Sequence, residues 1–168
     1  MSLYEASVPQ FTKMLGNLDK WLEKGVEFAQ KKGFDENVLL SSRLAPDQYP
    51  LTRQIQSACD SAKFPAARLT GKEAPKHPDT EQTVAELRKR IGLCRDYLAT
   101  FTAADFKGAE EREIALPFLE GKLLTGTNYL NEMAIPNFYF HVTTAYAILR
   151  NPGVDLGKMD YIGLPTFK

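Results

Sequence analysis

The sequence predicts an all-α fold, an up-down four-helix bundle with an irregular crossover before the last helix. Three observations carry this. Apolar residues recur at alternating steps of four and three over three long stretches, the spacing of bundle helices rather than strands. The stretch Phe138–Leu149 contains no Asp, Glu, Lys or Arg, yet is too short to span a bilayer, so it belongs inside a globular domain. Gly33, Gly71 and Gly153 stand where helical patterns end, and prolines cluster in the stretches between them, marking the connectors.

The first helix is expected over residues 3–32. Its seam is Tyr4, Val8, Phe11, Leu15, Leu18, Leu22, Gly25 and Ala29, widened on one side by Met14, Trp21 and Phe28. Pro9 falls in the first turns, where a missing amide hydrogen costs little. Lys31 and Lys32 suit the negative helix end, and Gly33 stops it. After a Pro-punctuated connector, the second helix runs over about 51–70 with seam Leu51, Ile55, Ala58, Ala62, Pro65 and Leu69, and with Gly71 as its stop. Pro65 is expected to kink it. Asp79 and Gln82 read as a capping box that opens a third helix over about 80–103, with seam Val84, Leu87, Ile91, Cys94, Leu98 and Phe101. Residues 104–126 are the least periodic. Glu113–Gly121 reads as an irregular crossover, with a short strand or hairpin as the alternative and Pro117 limiting it to an edge. A short helix over 127–134 precedes the last one, 136–150, and the apolar tail 151–168 is expected to dock along the bundle. The chain 1–168 reads as one domain.

Composition narrows the function classes. Lys plus Arg and Asp plus Glu both total 21, so the net charge is zero, which argues against a nucleic-acid or acidic-membrane surface. No leader-like segment and no run of transmembrane length is present, and Cys59 and Cys94 are too few for a disulfide scaffold. A cytoplasmic protein with reduced thiols is the expectation. A homodimer built on the wide stripe of the first helix is not electrostatically opposed.

His141 sits in the middle of the charge-free stretch, on the seam Phe138, His141, Ala145, Ile148, and should face the core. Asn137 lies one turn earlier on the same face. A buried imidazole needs a partner, and Asn137, Thr144, Tyr139, Tyr146 or a thiol of Cys94 or Cys59 could supply one. The simpler reading of His141 is a satisfied core histidine; the functional reading is a titratable group at the floor of a small aromatic pocket for an unidentified small molecule. Asp60 and Lys63 read as an ordinary solvated pair. His77 sits in a Pro-flanked connector. Asp160 and Tyr161 could close one end of the bundle.

The motifs Leu44-Ala-Pro-Asp47, Ala58-Cys-Asp-Ser-Ala-Lys63, Pro136-Asn-Phe-Tyr-Phe-His141, Thr144-Ala-Tyr-Ala-Ile-Leu-Arg150 and Gly157-Lys-Met-Asp-Tyr-Ile-Gly163 resemble the bacterial family labelled domain of unknown function 1993. The resemblance covers nearly the whole chain and places it near the DinB/YfiT-like four-helix bundles. In that wider group, a metal is held by three histidines, one from the second helix and two, four residues apart, from the last. The resemblance puts His141 on the last ligand, Asn137 on the one before it, and Gln56 or Ser57 on the second-helix one. One imidazole of three is therefore kept. The expectation is no metal cofactor, with His141 as the ligand if one binds. The alternatives are a metal-dependent or thiol-handling transferase, with Cys59 or Cys94 as extra donors, and a structural homodimer. Whether the chain is an enzyme is left open by the residues alone.

Overall fold

The structure is a computed structural model that describes residues 1–165; the end of the tail, 166–168, lies outside the described residues. Four long helices dominate: α1 (Leu3–Lys32), α2 (Leu51–Thr70), α3 (Val84–Ala99) and α5 (Ile135–Arg150). The rest is short. A two-stranded antiparallel ribbon joins β1 (Glu113–Ala115) to β2 (Leu123–Thr125), with Ile114 opposite Leu124. A single turn, α4 (Gly126–Asn128), leads through a π-helical turn at Tyr129–Ala134 into α5, and α6 (Lys158–Ile162) is the last helix among the described residues. The architecture is all-α, with the ribbon as its only strands among the described residues.

The heptad seams are the buried stripes. Phe11, Leu15, Leu18, Leu22 and Ala29 of α1 are at most 2% exposed, as are Leu51, Ile55, Ala58, Ala62 and Leu69 of α2. Phe138 of α5 seats its ring 4.5 Å from that of Phe11 at the centre of the core. Ser2 and Glu5 form a reciprocal capping box at the start of α1, and Gly33 closes it at φ 77°.

The third helix starts later than the Asp79–Gln82 pattern suggests. Its N-cap is Thr83, whose hydroxyl accepts from the Glu86 N–H, while Glu86 accepts from the Thr83 N–H at 3.0 Å. Asp79 is unavailable as a cap because arginines claim both its carboxylate oxygens, and it takes a left-handed conformation at φ 54°. The helix ends at Ala99, short of residue 103, where a Thr102–Asp105 box opens a separate 3-10 turn. The crossover is more ordered than irregular: Pro117 sits in a 3-10 turn between the two strands rather than within either. Ahead of α5, Pro136 has no N–H to give to residue 132, and its ring crowds that turn. The widened π turn at Tyr129–Ala134 lies at this point.

Helices α1 and α2 each pack against both α3 and α5. The side-chain pairings give directions. Gln54 meets His141 and Ser61 meets Asn137, so α2 and α5 run antiparallel. Asp19 meets Arg88, and Tyr4 at the start of α1 meets Phe106 just beyond α3, so α1 and α3 run antiparallel. Strict up-down alternation is interrupted once. Asn37 bonds the first N–H of α3 while Thr52 at the start of α2 bonds Leu40, and Glu73 beyond the end of α2 meets Tyr97 near the end of α3. Helices α2 and α3 are therefore parallel. The connector Lys72–Gln82 makes this possible: extended, its eleven residues reach about 36 Å, enough to return along α2, which is about 30 Å long.

The tail packs along α1 and α5. Trp21 Nε1 donates to the Asp160 carbonyl at 3.0 Å, Asn17 Nδ2 donates to the Tyr161 carbonyl at 2.9 Å, and the Trp21 and Tyr161 rings stack at 5.4 Å.

One close approach fixes how α4 meets the segment ahead of β1 and the end of α2. A Cβ on Gly126 would lie 1.8 Å from the Ala109 carbonyl oxygen and 2.9 Å from Leu69. Backbone cannot yield as a side chain can, so Gly126→Ala is expected to cost about 3 kcal/mol or more in urea unfolding. A loss below about 0.5 kcal/mol, typical of an unconstrained surface site, would show that the approach is looser.

Candidate functional site

His141 faces the core as its seam position requires, 9% exposed, and its partner comes from α2. Gln54 Nε2 donates to the Tyr49 carbonyl at 3.2 Å, which leaves Oε1 to accept from His141 Nδ1–H at 2.8 Å. One turn earlier, Asn137 Nδ2 donates to Ser61 Oγ at 2.7 Å. Histidine and asparagine together thus form a polar layer that pins α5 to α2. Burial, then the nearby Arg53 charge, hold the His141 imidazole below its ordinary value.

The other expected companions lie elsewhere. Tyr146 packs in the aromatic cluster with Trp21 and Tyr161. Tyr139 rests against Phe138, and its phenol is pushed up by burial and by Tyr161. Cys59 and Cys94 are fully buried between α2 and α3, where Cys94 Sγ donates to the Cys59 carbonyl at 3.3 Å. The Cys94 side chain and burial push the Cys59 thiol well up, the reverse of an activated thiolate. His141 bonds Gln54 and neither thiol.

The donors around His141 do not fit a divalent transition metal. His141, whose Nδ1 bonds Gln54, brings only Nε2; Asn137 offers a carboxamide bound to Ser61 rather than an imidazole, and Gln56 turns away to donate to Glu81 at 2.9 Å, so one imidazole stands where a transition-metal site needs several strong donors. Among the described residues, no three His, Cys, Asp or Glu side chains are placed to hold an ion.

Charge gathers on the other side of α2. Lys63, expected in solvent, has a side chain only 2% exposed. Its ammonium meets Asp60 Oδ1 and donates to His77 Nδ1, each at 2.8 Å. Asp60 Oδ1 also accepts from Arg90 Nη2 at 2.8 Å. Arg90, whose side chain is 1% exposed, donates Nη1 to Asp79 at 2.8 Å and to Glu81 at 3.0 Å, and Arg53 bonds the other Asp79 oxygen. Three cations therefore face three carboxylates. Burial works against the Arg90 charge, but Asp79 and Glu81 hold it above the ordinary value; against their own burial, Asp79 is held low by Arg90 and Arg53, and Glu81 by a backbone N–H, then Gln56 and Arg90. Nε of Arg90 is buried with no hydrogen-bond partner among the described residues.

Between this network and the end of α2, residues 71–78 stand off the helix and leave a cleft of about 910 Å³. Lys63, Phe64, Ala67, Arg68, Pro75 and His77 are among its walls. Lys63 and Arg68 both lie over the Phe64 ring, at 4.8 and 5.2 Å from its centroid. Arg68 Nη1 donates to Tyr129 Oη at 2.8 Å, and Tyr129, in the π turn, is 3% exposed. The sequence singles out neither Phe64 nor Arg68, and it leaves His77 in a Pro-flanked connector without a partner. The Phe64–Arg68 spacing of four on one helix face, where an arginine meets an aromatic ring, was the available signal.

Removing Arg90 would leave Glu81 without a cation among the described residues, and Asp60 and Asp79 with one each, Lys63 and Arg53. Arg90→Ala is expected to cost about 3–5 kcal/mol and to speed tryptic cleavage after Lys72 and Lys76; an unchanged cleavage rate would show that the connector is held by other contacts. Both imidazoles lie below their ordinary value of 6.5, His77 through burial and then Lys63 and Arg90. The unfolded chain therefore takes up these protons first as pH falls. The stability given by the neutral rings is complete above 6.5 and is lost as pH falls through their folded values. Urea midpoints should drop between about pH 7 and pH 5, and a His77→Gln, His141→Gln double variant should flatten that slope.

Comparison with known proteins agrees with this architecture. The profile of the domain of unknown function DUF1993 matches residues 3–162. The chain is similar to a crystal structure of a DinB family member protein from Shewanella denitrificans, with 52% identity and a TM-score of 0.95, covering 99% of this chain and 94% of that one. No curated protein matches. By the extent of the profile match, the chain belongs to the DUF1993 family, with the DinB-like helical fold.

Proposed function

We propose that the protein binds a small molecule, and that the ligand seat is the cleft between α2 and residues 71–78 rather than the surroundings of His141. The observation that carries this reading is the buried Lys63 ammonium, hydrogen-bonded to a neutral His77 at the wall of a cleft of about 910 Å³. Ligand pockets of about 300–1,000 Å³ combine apolar walls with a few fixed polar groups. Phe64, Ala67 and Pro75 supply the first, and Lys63, Arg68 and His77 the second.

His141 is then a packing residue. It is enclosed, it is satisfied by Gln54, and its neighbour Asn137 is satisfied by Ser61. The metal-dependent reading loses support because Asn137 and Gln56 are carboxamides engaged by Ser61 and Glu81, which leaves His141 as the one imidazole of the aligned positions, and the thiol-handling reading because Cys94 and burial suppress the Cys59 thiolate.

A screen of aromatic and aliphatic fragments against ¹⁵N-labelled protein tests the seat. Hits should shift the amides of Phe64, Gly71 and His77 and leave those of Asn137 and His141 in place. Hits confined to residues 137–146 would sink the proposal.

A further inference from the structure

Resting on that seat, we infer that the ligand carries a carboxylate on a flat, apolar body, and that Arg68 is the group that receives the carboxylate.

The cations of the cleft differ in what already occupies them. Lys63 meets Asp60 and His77, and Lys72 meets Asp105 at 2.6 Å. Arg68 has no carboxylate partner among the described residues. It is nevertheless held in place. Tyr129 accepts from Nη1 at 2.8 Å, and the guanidinium lies over two rings, 5.2 Å from the Phe64 centroid and 5.7 Å from that of Tyr129. An arginine immobilised by a phenol and two aromatic faces has already lost the rotamer freedom that ligand binding would otherwise cost it.

The engagement is also one-sided. Nη1 is used by Tyr129, and the Nε–Nη2 edge has no protein partner among the described residues. That edge presents two parallel N–H groups, the fork that matches the two oxygens of a carboxylate. The lining adds to the argument. Asp60 and Asp105 answer Lys63 and Lys72, which leaves Arg68 and Lys76 against Glu73 and a positive remainder in the cleft. The other walls, Phe64, Ala67, Ala74, Pro75 and Pro78, are flat or small and apolar. One available guanidinium edge beside an aromatic face suits a planar carboxylate better than a phosphate, which commonly gathers several donors or a nest of backbone amides.

The test is an NMR titration with benzoate, its neutral isostere benzamide, and inorganic phosphate. The protein is the wild type and the variants Arg68→Gln and Arg68→Lys. Benzoate should bind the wild-type cleft about tenfold or more tighter than benzamide, the advantage of a charge-assisted fork. Phosphate should leave the Phe64 and Gly71 amides unmoved. Arg68→Gln should bring benzoate down to the benzamide level, and Arg68→Lys, which keeps charge but not the fork, should fall between. Equal binding of benzoate and benzamide to the wild type would overturn the carboxylate assignment and leave the cleft as a neutral seat. So would phosphate shifts at those amides, or benzoate affinity unchanged in Arg68→Gln. Failure of both aromatic probes to shift cleft amides would overturn this inference together with the seat itself. Should Arg68→Gln fail to give a folded spectrum, the wild-type ratio and Arg68→Lys decide.

Discussion

A single buried guanidinium organises this molecule. Arg90 on α3 reaches Asp60 on α2 and both Asp79 and Glu81 on the connector. That junction ties the returning connector to α2 and α3 at once, alongside Lys63–His77, Arg53–Asp79 and Gln56–Glu81, and so helps α3 to start at the same end as α2. A buried charge is tolerable only when it is paired and hydrogen-bonded, so the cluster acts together: each carboxylate satisfies a cation that would otherwise be stranded. The three-to-three balance of the six charges is consistent with this requirement.

The histidine of the last long helix serves a different end. In a nonpolar interface, two side-chain pairs one turn apart admit few registers, because sliding the helices would strand a carboxamide or an imidazole. Gln54–His141 and Ser61–Asn137 set α5 against α2 in this way. Of the positions that resemblance aligns with metal ligands, His141 bonds Gln54, Asn137 bonds Ser61 and Gln56 bonds Glu81, so each is tied to another protein side chain.

Much of this was legible in the sequence because bundle packing repeats at a short period. The four-three spacing from Val8 to Ala29 marks the buried face of α1 without any knowledge of its neighbours, and Gly33 and Gly71 sit where α1 and α2 stop. The start of α3 was misplaced because two overlapping patterns, Asp79 with Gln82 and Thr83 with Glu86, are locally equivalent. Arg53 and Arg90, 26 and 11 residues away, settle the choice by claiming Asp79. The Asp60–Lys63 pair is legible from its spacing of three, but the burial of Lys63 is not, because its second partner His77 is 14 residues distant. Seams report which face is inside, but not which charges meet across connectors. The cleft, a product of the parallel α2–α3 return, was therefore not readable.

The connector is anchored near both ends and spare in between. Tyr97 holds the Glu73 carbonyl at 2.8 Å, and the charge cluster holds everything from His77 onward, while Ala74, Pro75 and Lys76 span the gap facing the cleft. Relatives sharing the same four rods can thus differ in these three positions, in bulk, polarity or length, and so reshape the chamber while its scaffold stays intact. Diversification within such a lineage would concentrate on that bridge.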